Sequence, residues 1–255
     1  MVATASCTAL TDLSGLSGAS SPPDDASSAP QDVASDAGAS RCDNRSPNTR
    51  FHFCESWDDG TNDLEVLKTG LVRDGIFPAF LSPPNGYAMT VLSAAGGAVV
   101  LTRQVPVRDF KRITVRVGVF LIDANATSRL VQINVGNQYE LRLMASLTGG
   151  AVGQRFSTLQ IAERIAQGSD AGSGATAEVG AIAAAQWSRL VVVLDREASR
   201  SHATVSYDGQ TFGADVTAHR EPVGEELPRV LVGIGAQSTP GTMALYLDDF
   251  DLEVE

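Results

Sequence analysis

The stretches WSRLVVVLDREASRSHATVSYDG (187–209) and RVLVGIGAQSTPGTMALYLDDFDLEVE (229–255) decide the fold. Both are runs of Val, Leu and Ile broken by polar turns, the pattern of antiparallel strands rather than helices. In SHATVSYDG, Ala203, Val205 and Tyr207 share one face while Thr204 and Ser206 share the other. Asp208-Gly209 then supplies a pair suited to a tight hairpin turn. In the last strand Leu245, Leu247, Phe250, Leu252 and Val254 mark the inward side, with a change of phase at Asp248-Asp249. A one-residue change of phase is what a β-bulge produces, so one of these aspartates is expected to leave the regular sheet surface and the other to need a partner.

The middle of the chain repeats the pattern. GAVVLTRQV (97–105), ITVRVGVFLIDA (113–124), SRLVQINVGN (128–137) and YELRLMASL (139–147) read as long strands. Ile113, Val115, Val117 and Val119 face one way and Arg116 the other; Leu141, Leu143 and Ala145 continue the alternation after a turn at Gly136-Asn137. Tyr139 has the parity of Leu141 and belongs to the core unless that turn resets the phase. The segment from Ser157 to Ala185 is ambiguous between a short amphipathic helix and strand, and is expected to be a loop carrying one short strand. Trp187 is expected to pack in the core at the start of its strand.

Before residue 51 the composition changes. Residues 1–40 hold five aspartates, no Lys or Arg and repeated Ser, Ala, Pro and Gly, the composition of an acidic flexible tail. They lack the apolar run of a secretion signal, and no later stretch is long and apolar enough to be a membrane-spanning helix. Residues 41–255 form the expected single folded domain, a size that one two-sheet β domain commonly reaches. Cys42 and Cys54 bracket a short polar interval and are expected to form a disulfide in an oxidising compartment, leaving Cys7 as the odd cysteine. Phe51, Phe53 and Trp57 precede Asp58-Asp59-Gly60 as a first strand and turn.

Trp187 opening an apolar strand, a strand ending in Tyr207-Asp208-Gly209, the form RVLVGIGA (229–236), the terminal YLDDFDLEV (246–254) and FCESWDDG (53–60) together resemble the concanavalin A-like lectin/glucanase jelly roll. The resemblance implies an all-β, two-sheet antiparallel jelly-roll sandwich in which the last strand lies beside the first. It implies no single activity, because that scaffold serves sugar binding, hydrolysis, lysis and adhesion. It also implies a structural calcium where the terminal strands meet, with Glu55, Asp58, Asp59, Asp248 and Asp249 as ligands and Asp251 nearby; solvated acidic turns are the competing reading. VATASC (2–7) resembles the end of a bacterial lipoprotein signal without its usual Leu, which would make Cys7 a lipid anchor and place the protein outside the cell, secreted or on a bacterial surface.

Function must come from the outward positions. Arg116, Arg129, Gln132, Asn134, Tyr139 and Arg142 are the candidate ligand-binding residues: amides and guanidinium groups bond sugar hydroxyls, and a ring stacks on the apolar face of a pyranose. An ordinary solvated sheet face is the leading alternative, since aromatic residues make up only 6% of the chain. Catalysis is hard to find. No strand spaces two carboxylates as Glu-x-Asp-x-x-Glu, Glu221, Glu225 and Glu226 lie in a Pro- and Gly-bounded turn, and His52, His202 and His219 have no zinc spacing. A net charge of -11 repels a phosphate backbone, and no phosphate-cradling glycine loop is present, so nucleic-acid and nucleotide partners are excluded. The expected protein is a monomeric, non-catalytic module for a polysaccharide or surface glycan; a hydrolase or lyase of the same fold, and an adhesion module without a glycan site, are the alternatives.

Overall fold

The computed structural model describes residues 45–78, 81, 84–92, 97–124, 128–136, 139–148, 156–167, 170–196, 201–207, 210–216, 227–236 and 243–255. The chain divides into Met1–Ala39 and Ser40–Glu255, and the second unit holds every described residue. Among the described residues all regular elements are strands: β1 (Phe51–Glu55), β2 (Glu65–Thr69), β3 (Val72–Phe77), β4 (Gly86–Val91), β5 (Ala98–Gln104), β6 (Arg112–Ala124), β7 (Ser128–Val135), β8 (Tyr139–Thr148), β9 (Phe156–Gln167), β10 (Asp170–Ala183), β11 (Trp187–Arg196), β12 (Ser201–Tyr207), β13 (Gln210–Val216), β14 (Arg229–Ala236) and β15 (Met243–Val254).

They form two antiparallel sheets stacked as a jelly-roll sandwich. Sheet A has the order β13-β12-β11-β6-β15-β4-β3, with β1 added against β15; sheet B has the order β10-β9-β8-β7-β14-β5-β2. The terminal strands lie side by side, Phe51 opposite Val254 and Glu55 opposite Phe250. Alternation along each strand fills the space between the sheets. Ile113, Val115, Val117 and Val119 of β6 and Leu245, Leu247, Phe250 and Leu252 of β15 meet Val131, Ile133, Leu141, Leu143 and Val232 from sheet B, all at most 2% exposed. Each such side chain contributes about 1.5–3 kcal/mol of apolar burial, so this interlayer is what holds the sandwich together.

The bulge expected in β15 is present. Register against β6 shifts between Asp248 and Asp251, and Asp249 takes a left-handed φ of 49°. Asp248 is fully buried on the outer side of sheet A, where its carboxylate accepts from the Leu81 and Asp249 backbone N–H groups at 2.7 and 2.9 Å. Trp57 also has a left-handed φ, of 59°; its N–H bonds Glu55 and its indole donates to Asn62, which closes the turn after β1.

Two expectations are corrected. The segment expected to be a loop with one short strand is the long hairpin β9–β10, in which Ala, Gly, Ser and Thr run along an edge strand and two register shifts absorb the irregularity. Its regularity comes from pairing with β9 rather than from propensity. Trp187 does not enter the core: Ser188, Leu190, Val192 and Leu194 point inward, so odd spacing turns Trp187 outward against Phe120, ring centres 5.5 Å apart. The proposed turn at Asp208-Gly209 has both residues outside the described ones, and that at Gly136-Asn137 has Asn137 outside them.

Candidate functional site

β7 and β8 bring the polar residues of this chain together on the outer face of sheet B. Ile133, Leu141 and Leu143 turn inward, so Gln132, Asn134, Glu140 and Arg142 turn outward, with Asn134 opposite Glu140 and Gln132 opposite Arg142. Arg129 and Gln132 are an odd number of residues apart and would ordinarily face opposite ways. A register shift between Arg129 and Val131 buries both Leu130 and Val131 and returns Arg129 to the outer face. On the other side of β7, strand β14 presents Arg229, Leu231 and Gly235 opposite Asn134, Gln132 and Arg129. The absence of a side chain at Gly235 matters: a Cβ there would lie 3.1 Å from Arg129 Nε and 3.3 Å from Nη2, so the guanidinium rests on bare backbone.

A continuous network joins the cluster. Arg129 Nη1 donates to Gln132 Oε1 at 2.8 Å, and Gln132 Nε2 donates to Asn134 Oδ1 at 2.8 Å. Arg142 Nη2 donates to Glu140 Oε2, while Glu140 Oε1 lies 3.8 Å from Arg129. The cluster is largely shielded from solvent. Gln132 is 8% exposed, and the side chains of Glu140, Arg142 and Arg129 are 15%, 18% and 31% exposed. Burial, then the neighbouring Arg142 charge, depresses the Arg129 pKa against the opposing pull of Glu140. Three polar atoms of this face, Arg129 Nε, Arg142 Nε and Thr102 Oγ1, are buried without a hydrogen-bond partner. Buried donors without partners are costly, and their concentration on one face marks it as polar beyond the needs of folding.

Four of the six candidate ligand-binding residues, Arg129, Gln132, Asn134 and Arg142, thus converge, and two do not. Arg116 belongs to the outer face of sheet A, where it bonds Asp251 and Glu253 at 3.1 Å each. Tyr139 is 5% exposed and packs inward, as its parity with Leu141 requires. Alternation tells which residues leave the core but not through which sheet, and a sandwich has two outer faces. The sequence reading passed over Glu140 as a site residue and missed Thr102 and Gly235. The two glycines of β14, Gly233 and Gly235, were the available signal.

The residues expected to hold calcium do not fit it. Glu55 turns inward and its two carboxylate oxygens accept from the Trp57 and Asp63 N–H groups; Asp248, on the other side of the sheet, has its oxygens on Leu81 and Asp249. Asp59 bonds Thr61, Asp249 bonds Arg189, and Asp58 stands exposed beside Asn85. Their oxygens turn to N–H and O–H donors rather than to one shared point, whereas Ca²⁺ needs six to eight convergent oxygens. Among the described residues no three His, Cys, Asp or Glu side chains gather to hold a metal ion. Cys54 is disulfide-bonded, and Cys42 and Cys7 lie outside the described residues.

No family model matches the chain, and no curated protein matches it. Among solved structures it is similar to the alginate lyase vAL-1 from a Chlorella virus, with a TM-score of 0.48, 13% identity, and coverage of 77% of this chain and 95% of that one. A family 7 alginate lyase A1-II' in complex with substrate gives a TM-score of 0.45 at 14% identity over 67% of this chain and 78% of that one. The binding domain of botulinum neurotoxin DC in complex with SialylT gives 0.39 at 9% identity over 74% of this chain and 42% of that one.

Proposed function

We propose that this protein is a non-catalytic carbohydrate-binding module that acts outside the cell, secreted or on a bacterial surface, and takes a polysaccharide or surface glycan against the outer face of sheet B. The observation that carries the reading is the half-buried Arg129–Gln132–Asn134–Glu140–Arg142 network, built by adjacent strands and rich in hydrogen-bonding groups on one face. Such groups, held on a rigid sheet, match sugar hydroxyls and ring oxygens with little loss of side-chain freedom on binding. The disulfide at Cys54 supports an oxidising compartment.

Catalysis by the same face lacks its chemistry. A lyase needs a base and a neutralising group together, yet the described outward positions of sheet B include neither His nor Tyr: Tyr139 packs inward, and His52 and His202 belong to sheet A. A glycosidase needs a second carboxylate within about 5–10 Å of the first. Glu140 is bound to Arg142, and the other described outward carboxylates of the sheet stand apart from it: Glu65 on β2 is four strands away, roughly 19 Å at about 4.8 Å per strand, and Glu178 on β10 is two strands away, roughly 10 Å, and offset four residues, about 13 Å, along them.

An adhesion module without a glycan site is the second reading, favoured by a row of rings across the outer face of sheet A. Trp187, Phe120, Tyr246 and Phe77 follow one another at 5.5, 5.9 and 5.8 Å, and Phe77 is 48% exposed. A glycan array probed with the full chain and its Arg142→Ala variant separates the two. Binding that disappears in the variant supports the glycan module; no retained glycan, or equal retention by both proteins, rejects it.

A further inference from the structure

We propose that Gln132 sets the polarity of this face, so that the site presents N–H donors outward and selects acidic glycans over neutral ones of the same backbone; the inference rests on the glycan-binding reading above. Arginine can only donate, so the Gln132 atom 2.8 Å from Arg129 Nη1 must be its oxygen. The other end of that amide is therefore the NH2 group, and the Asn134 atom 2.8 Å from it must in turn be an oxygen. Two bonds thus determine both amide orientations without appeal to the atoms' individual identities. The consequence is that Asn134 keeps its NH2 group for the ligand.

Within the cluster the acceptors turn inward. Gln132 Oε1 faces Arg129, Asn134 Oδ1 faces Gln132, Glu140 Oε2 faces Arg142, and Glu140 Oε1 faces Arg129. What remains for a ligand is the Asn134 NH2 group and the unused N–H groups of two guanidiniums. A neutral sugar offers hydroxyls that both donate and accept, and the donating half meets only oxygens already facing Arg129, Gln132 or Arg142. A carboxylate or sulfate group is acceptor only, and a guanidinium bonds it in forked fashion. The selection is local: at a net charge of -11 the molecule as a whole repels an acidic polymer. Gln132, 8% exposed, reaches the ligand only through Arg129 and Asn134, which makes it a positioning residue.

The test uses the full chain against paired polysaccharides: uronate polymers with their carboxyl-reduced forms and sulfated glycans with their desulfated forms. The wild type is expected to bind the acidic member of at least one pair ten-fold or more tightly. Asn134→Asp keeps the bond from Gln132 but turns a carboxylate oxygen outward in place of the NH2 group, and should weaken the acidic member ten-fold more than the neutral one. Gln132→Glu accepts from Arg129 and from the Asn134 NH2 group together, turning Asn134 Oδ1 outward; it should lower the acidic preference without adding a charge at the surface. Equal binding of both members, or a preference unmoved by both variants, overturns the polarity assignment while loss of all binding in Arg142→Ala leaves the glycan site standing. Binding that Arg142→Ala does not alter, or no binding to any pair, overturns the glycan reading and the polarity assignment with it.

Discussion

Arg129 and Gly235 are cross-strand partners in which the guanidinium of one occupies the space a side chain would take on the other: a Cβ on Gly235 would meet Nε at 3.1 Å. Gly235→Val should therefore displace Arg129 from Gln132 and reduce glycan affinity about ten-fold, with unfolding free energy changed by less than ~1 kcal/mol because the guanidinium is free to swing away. Gly233→Ala, two residues earlier, should do the reverse. Its φ of 146° is left-handed and a Cβ there would stand 2.4 Å from the Val99 carbonyl oxygen, so a loss of roughly 1–3 kcal/mol or more is expected from backbone strain and clash. Urea denaturation beside glycan titration distinguishes the two effects.

Asp248→Ala should destabilise the fold by about 2–3 kcal/mol, since it leaves the Leu81 and Asp249 N–H groups without their acceptor in a buried place. Asp248→Asn, which retains one acceptor, should lose less. A variant as stable as wild type in chemical denaturation would show that the carboxylate is dispensable to the bulge.

Acid should loosen the junction between the N-terminal turn and β15. Burial alone would raise the Glu253 pKa, but the bonds from Thr49, Ser46 and Arg116 outweigh it and hold the pKa below its ordinary 4.5. A carboxyl whose folded pKa is depressed stabilises the fold at pH above its unfolded value and gives that stability up as pH falls through the folded one. The melting temperature of wild type should thus drop on acidification below about 4.5, and Glu253→Gln should flatten that part of the profile. Parallel profiles for the two proteins would remove Glu253 as the source.

Cys54 should be found joined to Cys42 in non-reducing peptide maps. Reduction should lower stability by about 3 kcal/mol, the loop-closure value for a ring of this length. Recovery of a linked Cys7–Cys54 peptide would instead tie β1 to the far end of the tail.

Calcium should leave the melting temperature unchanged, because Glu55 and Asp248 direct their oxygens to backbone N–H groups on opposite sides of sheet A. A rise of several degrees on adding calcium to chelator-treated protein would restore the expected ion.

The sandwich was legible in the sequence because alternation is a local signal. Ile113 through Val119, and Leu245 through Val254 with its slip at Asp248-Asp249, reveal their inward faces without any partner. What alternation does not carry is which sheet a strand joins. Arg116 and Arg142 look alike on paper, yet one bonds acids beside the C-terminus and the other helps form the candidate site. The grouping of Arg129 with Gln132 depends on a bulge that nothing in SRLVQ announces. β10 escaped notice for the opposite reason: its residues have little preference for strand, and only β9 beside it makes it one.

β15 sits between β6 and β4 and also receives β1, while β14 sits between β7 and β5. The two strands that close the middle of both sheets are thus translated after every other described strand. At about 5–20 residues per second, a ribosome exposes β1 to β13 for many seconds before either gap can be filled. During that time sheet A exists only as two separate pieces, with open edges on β6 and β4 and no partner for β1. Nascent chains of this protein should therefore depend on holding factors until residues 229–254 emerge, and a stop codon anywhere before β14 should yield aggregation rather than a smaller folded protein.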